Sequence, residues 1–189
     1  ITLICAAGLF NLQFSHDYRA FFDSDNPQLE AHESLERIFT QSDGINIVIH
    51  QETGTFFDEK GLTIISDLTE RAWTLPHVIR VDSLSNHQQS QAIDDDLAVF
   101  PLFQDGEAAL PAEEIETLIQ NEDMIKGRLI SADGKTAQVI ATTQLPATRD
   151  SLLPTIAKEV KALRQSFQSQ YPELQVAVTG VVMLSHSFF

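Results

Sequence analysis

The stretch INIVIHQETGTFFDEKGLTIISDLTERAWTLPHVIRVDSL, Ile45 to Leu84, decides the architecture. It opens on INIVIH (Ile45–His50), a β-branched run with Asp43 and Gly44 before it and Gly54 after it, which is the pattern of a buried strand. Asp58 stands where a helix N-cap belongs. Leu62, Ile65, Leu68 and Ala72 follow at spacings of three, three and four, so a helix is predicted from Glu59 to a point before Pro76. HVIRVDSL (His77–Leu84) reads as a second strand. Strand, helix, strand within about 40 residues is a βαβ unit, expected to be right-handed with its two strands parallel.

Towards the C-terminus the pattern returns in a second form. GRLIS (Gly127–Ser131) and AQVIATTQL (Ala137–Leu145) flank Asp133-Gly134, and an Asp-Gly pair between two β-rich runs predicts a hairpin. Leu152, Ile156, Val160, Leu163 and Phe167, spaced by four, four, three and four, predict a helix over roughly Ser151–Ser169. LQVAVTG (Leu174–Gly180) closes the pattern as a strand. The expected fold is α+β: a ferredoxin-like mixed sheet, βαβ followed by ββαβ, with the helices on one face. Strands near Ile45, Val78, Leu129, Val139 and Val176 should share that sheet.

An insertion of different character, residues 85–125, separates the two halves. Between Val81 and Ile125 stand 11 acidic residues and no Lys or Arg, in a chain of formal charge −15. Asp94, Asp95 and Asp96 are its densest run, and a short helix is predicted near Ala112–Ile119. Like charges without a compensating base favour an extended, solvated chain. Phe100, Leu102 and Phe103 form its apolar cluster and are the candidates for contact with a hydrophobic substrate. The rival expectation is an acidic surface loop with these three residues tucked onto the core.

Before the strand at Ile45, Asn26 and Pro27 form a plausible cap and first turn for a helix over Pro27–Phe39, with Leu35, Ile38 and Phe39 on its apolar side. The first residues, ITLICAAGLFNLQF (Ile1–Phe14), carry no charge, and VVMLSHSFF (Val181–Phe189) is apolar and small. Both read as pieces of membrane helices, each shorter than the roughly 20 residues a span needs. The organisation expected is therefore the end of a first transmembrane helix (1–14), a connecting segment with a helix (15–41), an α+β domain (42–180) and the start of a second transmembrane helix (181–189).

Composition narrows the chemistry. With 27 acidic against 12 basic residues, the chain is a poor partner for nucleic acid. A single cysteine, Cys5, excludes an internal disulfide framework and a Cys-based zinc site. The six histidines show neither H-x-x-x-H nor H-E-x-x-H spacing, and Asp94–Asp96 lack the alternation and turn glycine of a calcium loop. No phosphate-binding glycine pattern occurs, so no metal or cofactor is expected. Asp82, Ser83, Ser85 and His87 supply the residue types of a nucleophile triad without a G-x-S-x-G elbow, and the expectation is no catalytic residue. The pairs Phe21–Phe22 and Phe56–Phe57 are most simply packing residues.

Several segments taken together resemble the first extracytoplasmic loop of RND-superfamily exporters of the MMPL type. HDYRAFFDSDNP (His16–Pro27) matches the family's Asp-x-Arg-x-Phe-Phe and Asp-Asn-Pro through Asp17, Arg19, Phe21, Phe22, Asp25, Asn26 and Pro27. GTFFD (Gly54–Asp58) precedes a helix as in the family. LPHVIRVDSLSN (Leu75–Asn86) carries the Leu-Pro-x-Val-x-x-Val-x-Ser-Leu pattern at Leu75, Pro76, Val78, Val81, Ser83 and Leu84, and Gly180 is similar to the glycine before the second membrane helix. The resemblance implies a non-enzymatic periplasmic porter domain of a proton-driven exporter of lipids or other hydrophobic or amphipathic molecules. Such a domain sits on the bacterial inner membrane facing the periplasm, works with the rest of the transporter, and forms a homo-oligomer. Proton-relay residues would lie in membrane helices outside this sequence. The alternative is an extracytoplasmic sensor or interaction domain of a membrane signalling receptor.

Overall fold

The computed structural model describes residues 22–23, 26–38, 43–93, 96–104, 107–146 and 151–186. The chain divides into two units, one of residues 1–41 with 187–189 and one of residues 42–186. In the first, helix α1 (Pro27–Ile38) starts as the sequence requires. Asn26 Oδ1 accepts the backbone N–H groups of Gln28 at 3.0 Å and Leu29 at 3.2 Å, and Pro27 at the first helical position has no N–H to satisfy. Leu35, expected on an apolar side, is 55% exposed.

The second unit is built on a sheet of four strands: β1 (Asp43–His50), β2 (Val78–Asp82), β7 (Thr136–Thr143) and β8 (Gln175–Thr179), in the spatial order β2-β7-β1-β8. Every pairing is antiparallel. The predicted mixed sheet is thus corrected to a purely antiparallel one. β1 and β2 do run the same way, but β7 lies between them, so the expected direct parallel pair does not form. The β1–β7 ladder pairs all eight residues of each strand, Asp43 opposite Thr143 through His50 opposite Thr136.

Alternation gives the sheet two faces. On the inner face Ile45, Ile47 and Ile49 are fully buried, with Ala137, Val139 and Ala141 beside them, Val81 on β2 and Val176 on β8. Two helices join this apolar cluster. Helix α2 (Glu59–Trp73) packs on β2 and β7 and buries Leu62, Ile65, Leu68 and Ala72, the residues whose spacing predicted it; Asp58 caps it by accepting from Gly61 N–H at 2.6 Å. Helix α4 (Leu153–Gln170) packs on β8 and buries Ile156, Val160, Leu163 and Phe167, while Leu152 is only partly buried.

Between β2 and β7 the chain folds locally instead of running extended. A 3-10 turn (Leu84–Asn86) leads into a hairpin of β3 (Gln88–Ile93) and β4 (Asp96–Pro101), then β5 (Phe103–Gln104) pairs with β6 (Glu107–Ala108), and helix α3 (Ala112–Asn121) follows. Ile115, Ile119 and Ile125 are fully buried in the common core. These residues tie an acidic segment to the domain.

The predicted strand at Gly127–Ser131 does not form. Leu129 and Ile130 are both buried although adjacent in sequence, which a strand's two-fold alternation forbids on a one-sided sheet. The segment is a turn that meets β7 through an isolated antiparallel bridge from Ile130 to Ala137, with Gln138 N–H donating to Leu129 O and Ser131 N–H to Thr136 O, both at 2.8 Å. The Asp133-Gly134 reversal is real: Gly134 has φ +67°, and a Cβ there would lie 2.5 Å from the Phe57 ring. Phe56 and Phe57 are buried, as packing residues should be, whereas Phe22 is 49% exposed. Helix α5 (Val181–His186) ends the described chain, and among the described residues no helix is long and apolar enough to cross a membrane.

Candidate functional site

Helix α2 ends at Trp73, where Thr74 N–H and Oγ1 both donate to Arg71 O, at 3.0 and 2.7 Å. Pro76 cannot continue a helix, and His77 adopts φ +63°, a left-handed conformation that is uncommon for a residue with a side chain. The turn is held on both sides, by Val78 N–H to Leu75 O at 3.4 Å and by Gln144 N–H to His77 O at 3.0 Å. This strained reversal redirects the chain from α2 into β2.

Thr74, Leu75 and Pro76 thereby form one wall of a groove of about 430 Å³, with Arg71 at its side and Glu159, Leu163 and Ser166 of α4 opposite. Leu75, Pro76, Ala162 and Leu163 give it apolar surface, and Arg71, Thr74, Glu159 and Ser166 give it as many polar side chains. Arg71 is fixed from several directions. Its Nε and Nη2 donate to the two Asp67 oxygens at 2.9 and 3.0 Å, Nη2 also donates to Gln170 Oε1, and the guanidinium lies 5.4 Å from the centre of the Phe167 ring. Tyr171 OH donates to Asp67 Oδ2 at 3.1 Å, and its ring lies 4.8 Å from that of Phe167. Burial, reinforced by the Asp67 charge, pushes the Tyr171 phenol above its ordinary pKa. The groove offers a positioned cation, a carboxylate across from it and an apolar floor.

The described residues singled out in the sequence fall into four places. Pro76 is at the groove. Val81, Ser83 and Leu84 are buried, and Ser83 belongs to a ring of hydroxyls: Thr69 Oγ1 to Ser83 Oγ at 2.8 Å, Ser83 Oγ to Ser85 Oγ at 2.9 Å and Ser85 Oγ to Thr69 Oγ1 at 2.9 Å. Asn86 clamps this corner, accepting from Ser83 N–H at 2.9 Å and donating to Val81 O. Gly180 has φ +114°, and a Cβ there would lie 2.2 Å from Gly44 O, so the chain crosses the start of β1 at a distance only glycine permits. Asn26 and Pro27 act at the start of α1.

The triad residue types do not assemble as one. Asp82 is held by Arg80, whose Nε and Nη2 donate to Asp82 Oδ1 at 2.9 and 2.7 Å, while Ser83 is committed to the hydroxyl ring and Asn86. Burial lowers the His87 pKa against an opposing pull from Glu122. Among the described residues no group of three or more His, Cys, Asp or Glu could hold a metal ion.

Of the proposed substrate-path residues, Leu102 is fully buried, so it serves the core and is not open to a ligand in this conformation. The side chains of Phe100 and Phe103 lie outside the described residues, as do Ile1–Phe14, Asp17, Arg19, Phe21, Asp25, Asp94 and Asp95. Sequence reasoning missed Asp67, Arg71, Gln170 and Tyr171. The i,i+4 spacing of Asp67 and Arg71 was a visible signal, but their meeting with Gln170 and Tyr171 depends on how α2 and α4 pack.

No protein-family model matches the chain, and no curated protein matches it significantly.

Proposed function

We propose that this chain is a porter-like domain of a proton-driven membrane exporter of the RND type, carrying lipids or other amphipathic molecules on the periplasmic side of a bacterial inner membrane. The observation that carries the reading is where the family-like segments fall. Leu75 and Pro76 wall the groove, Ser83 to Asn86 build the corner after β2, and Gly180 is the crossing point over β1. Residues that resemble the family pattern here occupy joints of the fold.

The strand order supports the same reading. Two strand–helix–strand units, each with its strands separated by a strand of the other, make a split βαβ arrangement, which we read as ferredoxin-like. The domain itself performs no chemistry in this proposal. It receives an amphiphile at the groove between α2 and α4, with Leu75, Pro76 and Leu163 against the apolar part and Arg71 and Glu159 near the polar head. The remaining membrane and periplasmic domains of the transporter supply the proton coupling.

The test is transport by the complete protein in sealed vesicles. An imposed proton gradient should drive movement of a fluorescent long-chain amphiphile, an uncoupler should stop it, and filling the groove with Ala162→Trp should slow it several-fold while the protein stays folded. No gradient-driven movement of amphiphiles would overturn the reading, and ligand-dependent signalling by the same protein would support a receptor instead.

A further inference from the structure

We infer that the turn from α2 into β2 is a lipid-contact element, with Trp73 and Ile79 seated in the headgroup layer of a bilayer. It stands apart from the exporter reading, because the contact is made by a turn inside the domain and asks nothing of transport. The strand register brings the relevant segments to one end of the sheet. β1 starts where β7 ends, Asp43 opposite Thr143, and β2 starts beside the same residue, Val78 opposite Thr143. β8 leads to this end through Gly180, which lies against Gly44. Helix α2 finishes there at Trp73 and α4 begins there at Leu153.

Charge is segregated between the two ends. The described segments at this one, residues 73–79, 144–146, 151–157 and 180–186, contain no Asp, Glu, Lys or Arg, in a chain with 27 acidic and 12 basic residues. Asp43, at the start of β1, is buried. The loops at the opposite end carry Glu52, Asp58, Lys60, Asp133, Lys135 and Glu173, with Lys60 paired to Glu173 at 2.8 Å. The acidic helix α3 is tied to that end by Gln120 Nε2, which donates to Ala132 O at 2.7 Å. β7 is eight residues long, so the ends lie about 24 Å apart. Salt screens charges over about 8 Å under physiological conditions, which leaves the uncharged end free to approach an anionic bilayer.

Apolar exposure is concentrated at the same end. Trp73 and Ile79 are 49% and 53% exposed, and Val181 and Leu184 of α5 are exposed as well. Among the other described residues of this unit, only Val99 and Met124 are large apolar side chains so open to solvent. The four are spread across the sheet, Trp73 and Ile79 at the β2 edge and α5 against β1 and β8. A fluid lipid surface accepts that spacing, whereas a protein interface gathers its anchors at one centre. Tryptophan suits the boundary, since its ring is apolar and its indole N–H reaches headgroups or water. The turn is also held in place, with His77 at φ +63° and its carbonyl accepting from Gln144 N–H, so seating it requires little further ordering.

Trp73 is the only tryptophan in the chain, so its emission reports this turn alone. The full chain mixed with phosphatidylcholine vesicles should show a blue-shifted Trp73 emission, quenched more strongly by lipids brominated near the headgroup than by lipids brominated near the chain end. Ile79→Glu should reduce that quenching several-fold by adding a charge to the seated turn, with circular dichroism unchanged. Val99→Glu, on the β3–β4 hairpin, should leave it as in wild type. Quenching retained by a protein that shows no gradient-driven transport would support the lipid contact while the exporter reading fell. Vesicle binding with Trp73 emission unchanged would show that other segments make the contact, and no binding at all would leave the apolar end to a protein partner; either result, or equal losses for the two substitutions, would overturn the inference.

Discussion

The two strand–helix–strand halves of the sheet, Asp43–Asp82 and Thr136–Thr179, meet the same geometric demands with different chemistry. Each sends a helix across the inner face and returns as an outer strand. In the first half the return is a strained turn at Pro76 and His77, and the outer strand is clamped from beyond its end by Asn86. In the second, the clamp comes from the helix itself, through Arg164 and Gln168, and the strand ends at a glycine pressed against Gly44. Topology therefore sets which backbone groups need partners and leaves open which residues supply them.

The sharpest test of that difference is at the ends of the outer strands. Gly180→Ala should cost about 4 kcal/mol or more, a size that marks a specific steric mechanism, because the φ is wrong for alanine and the new methyl meets backbone rather than a movable side chain. Gly127 also has positive φ, at +77°, but nothing lies within 4 Å of its Cβ position, so Gly127→Ala should cost about 1 kcal/mol from conformation alone. Chemical denaturation of both variants checks this, and similar losses would mean that the approach to Gly44 relaxes freely.

Next in size are the helix cores. Leu68 of α2 is fully buried, and Leu68→Ala should cost about 2–5 kcal/mol. Leu163 of α4 is 9% exposed at the floor of the groove, so solvent can occupy part of the space its truncation leaves, and Leu163→Ala should fall at the lower end of that range. Equal losses in thermal and urea unfolding would show the two helices to be equivalent supports. Smaller again are the clamps: Asn86→Ala and Gln168→Ala should each cost about 1–2 kcal/mol, since the freed backbone groups can partly rehydrate. The double variant should bind an amyloid dye or aggregate on standing, as an unguarded edge does; a soluble double variant would break the assignment of both residues as edge protection.

Periodicity and composition made the helices and all four sheet strands legible, because apolar spacing reports directly which face is buried, and added one strand, at Gly127–Ser131, that does not form. They were blind to strand order. Nothing local in Ile45–Leu84 says that β7 inserts between β1 and β2, so a parallel pair was the natural expectation and an antiparallel ladder the result. Leu129 and Ile130 misled for a related reason, being apolar and β-branched in part yet both turned inward at a bend. At the groove, Pro76 was visible as a stop, but its partnership with Leu163 and Ser166 arises from packing between segments some 90 residues apart. Leu102, for which the sequence left open both a contact with substrate and a place on the core, is fully buried.

The smallest expected effect separates the corners that follow the two outer strands. The first half has a titratable group there, His87, whereas the second turns through Gly180 and Val181. Burial holds the His87 pKa below 6.5, with Glu122 opposing but not overcoming it. The unfolded chain therefore takes up a proton near pH 6.5 that the folded chain resists. The stability contributed by the neutral ring is complete above that pH and is lost progressively as pH falls from there through the lowered folded value. Carboxylates add their own acid sensitivity, so the informative quantity is the difference between wild type and His87→Gln in urea unfolding from about pH 7.5 to 5.5, a window spanning the ordinary histidine pKa. Wild type should lose more stability across that window than the variant. Parallel curves would place His87 in an environment no drier than water and leave the two corners alike in their response to acid.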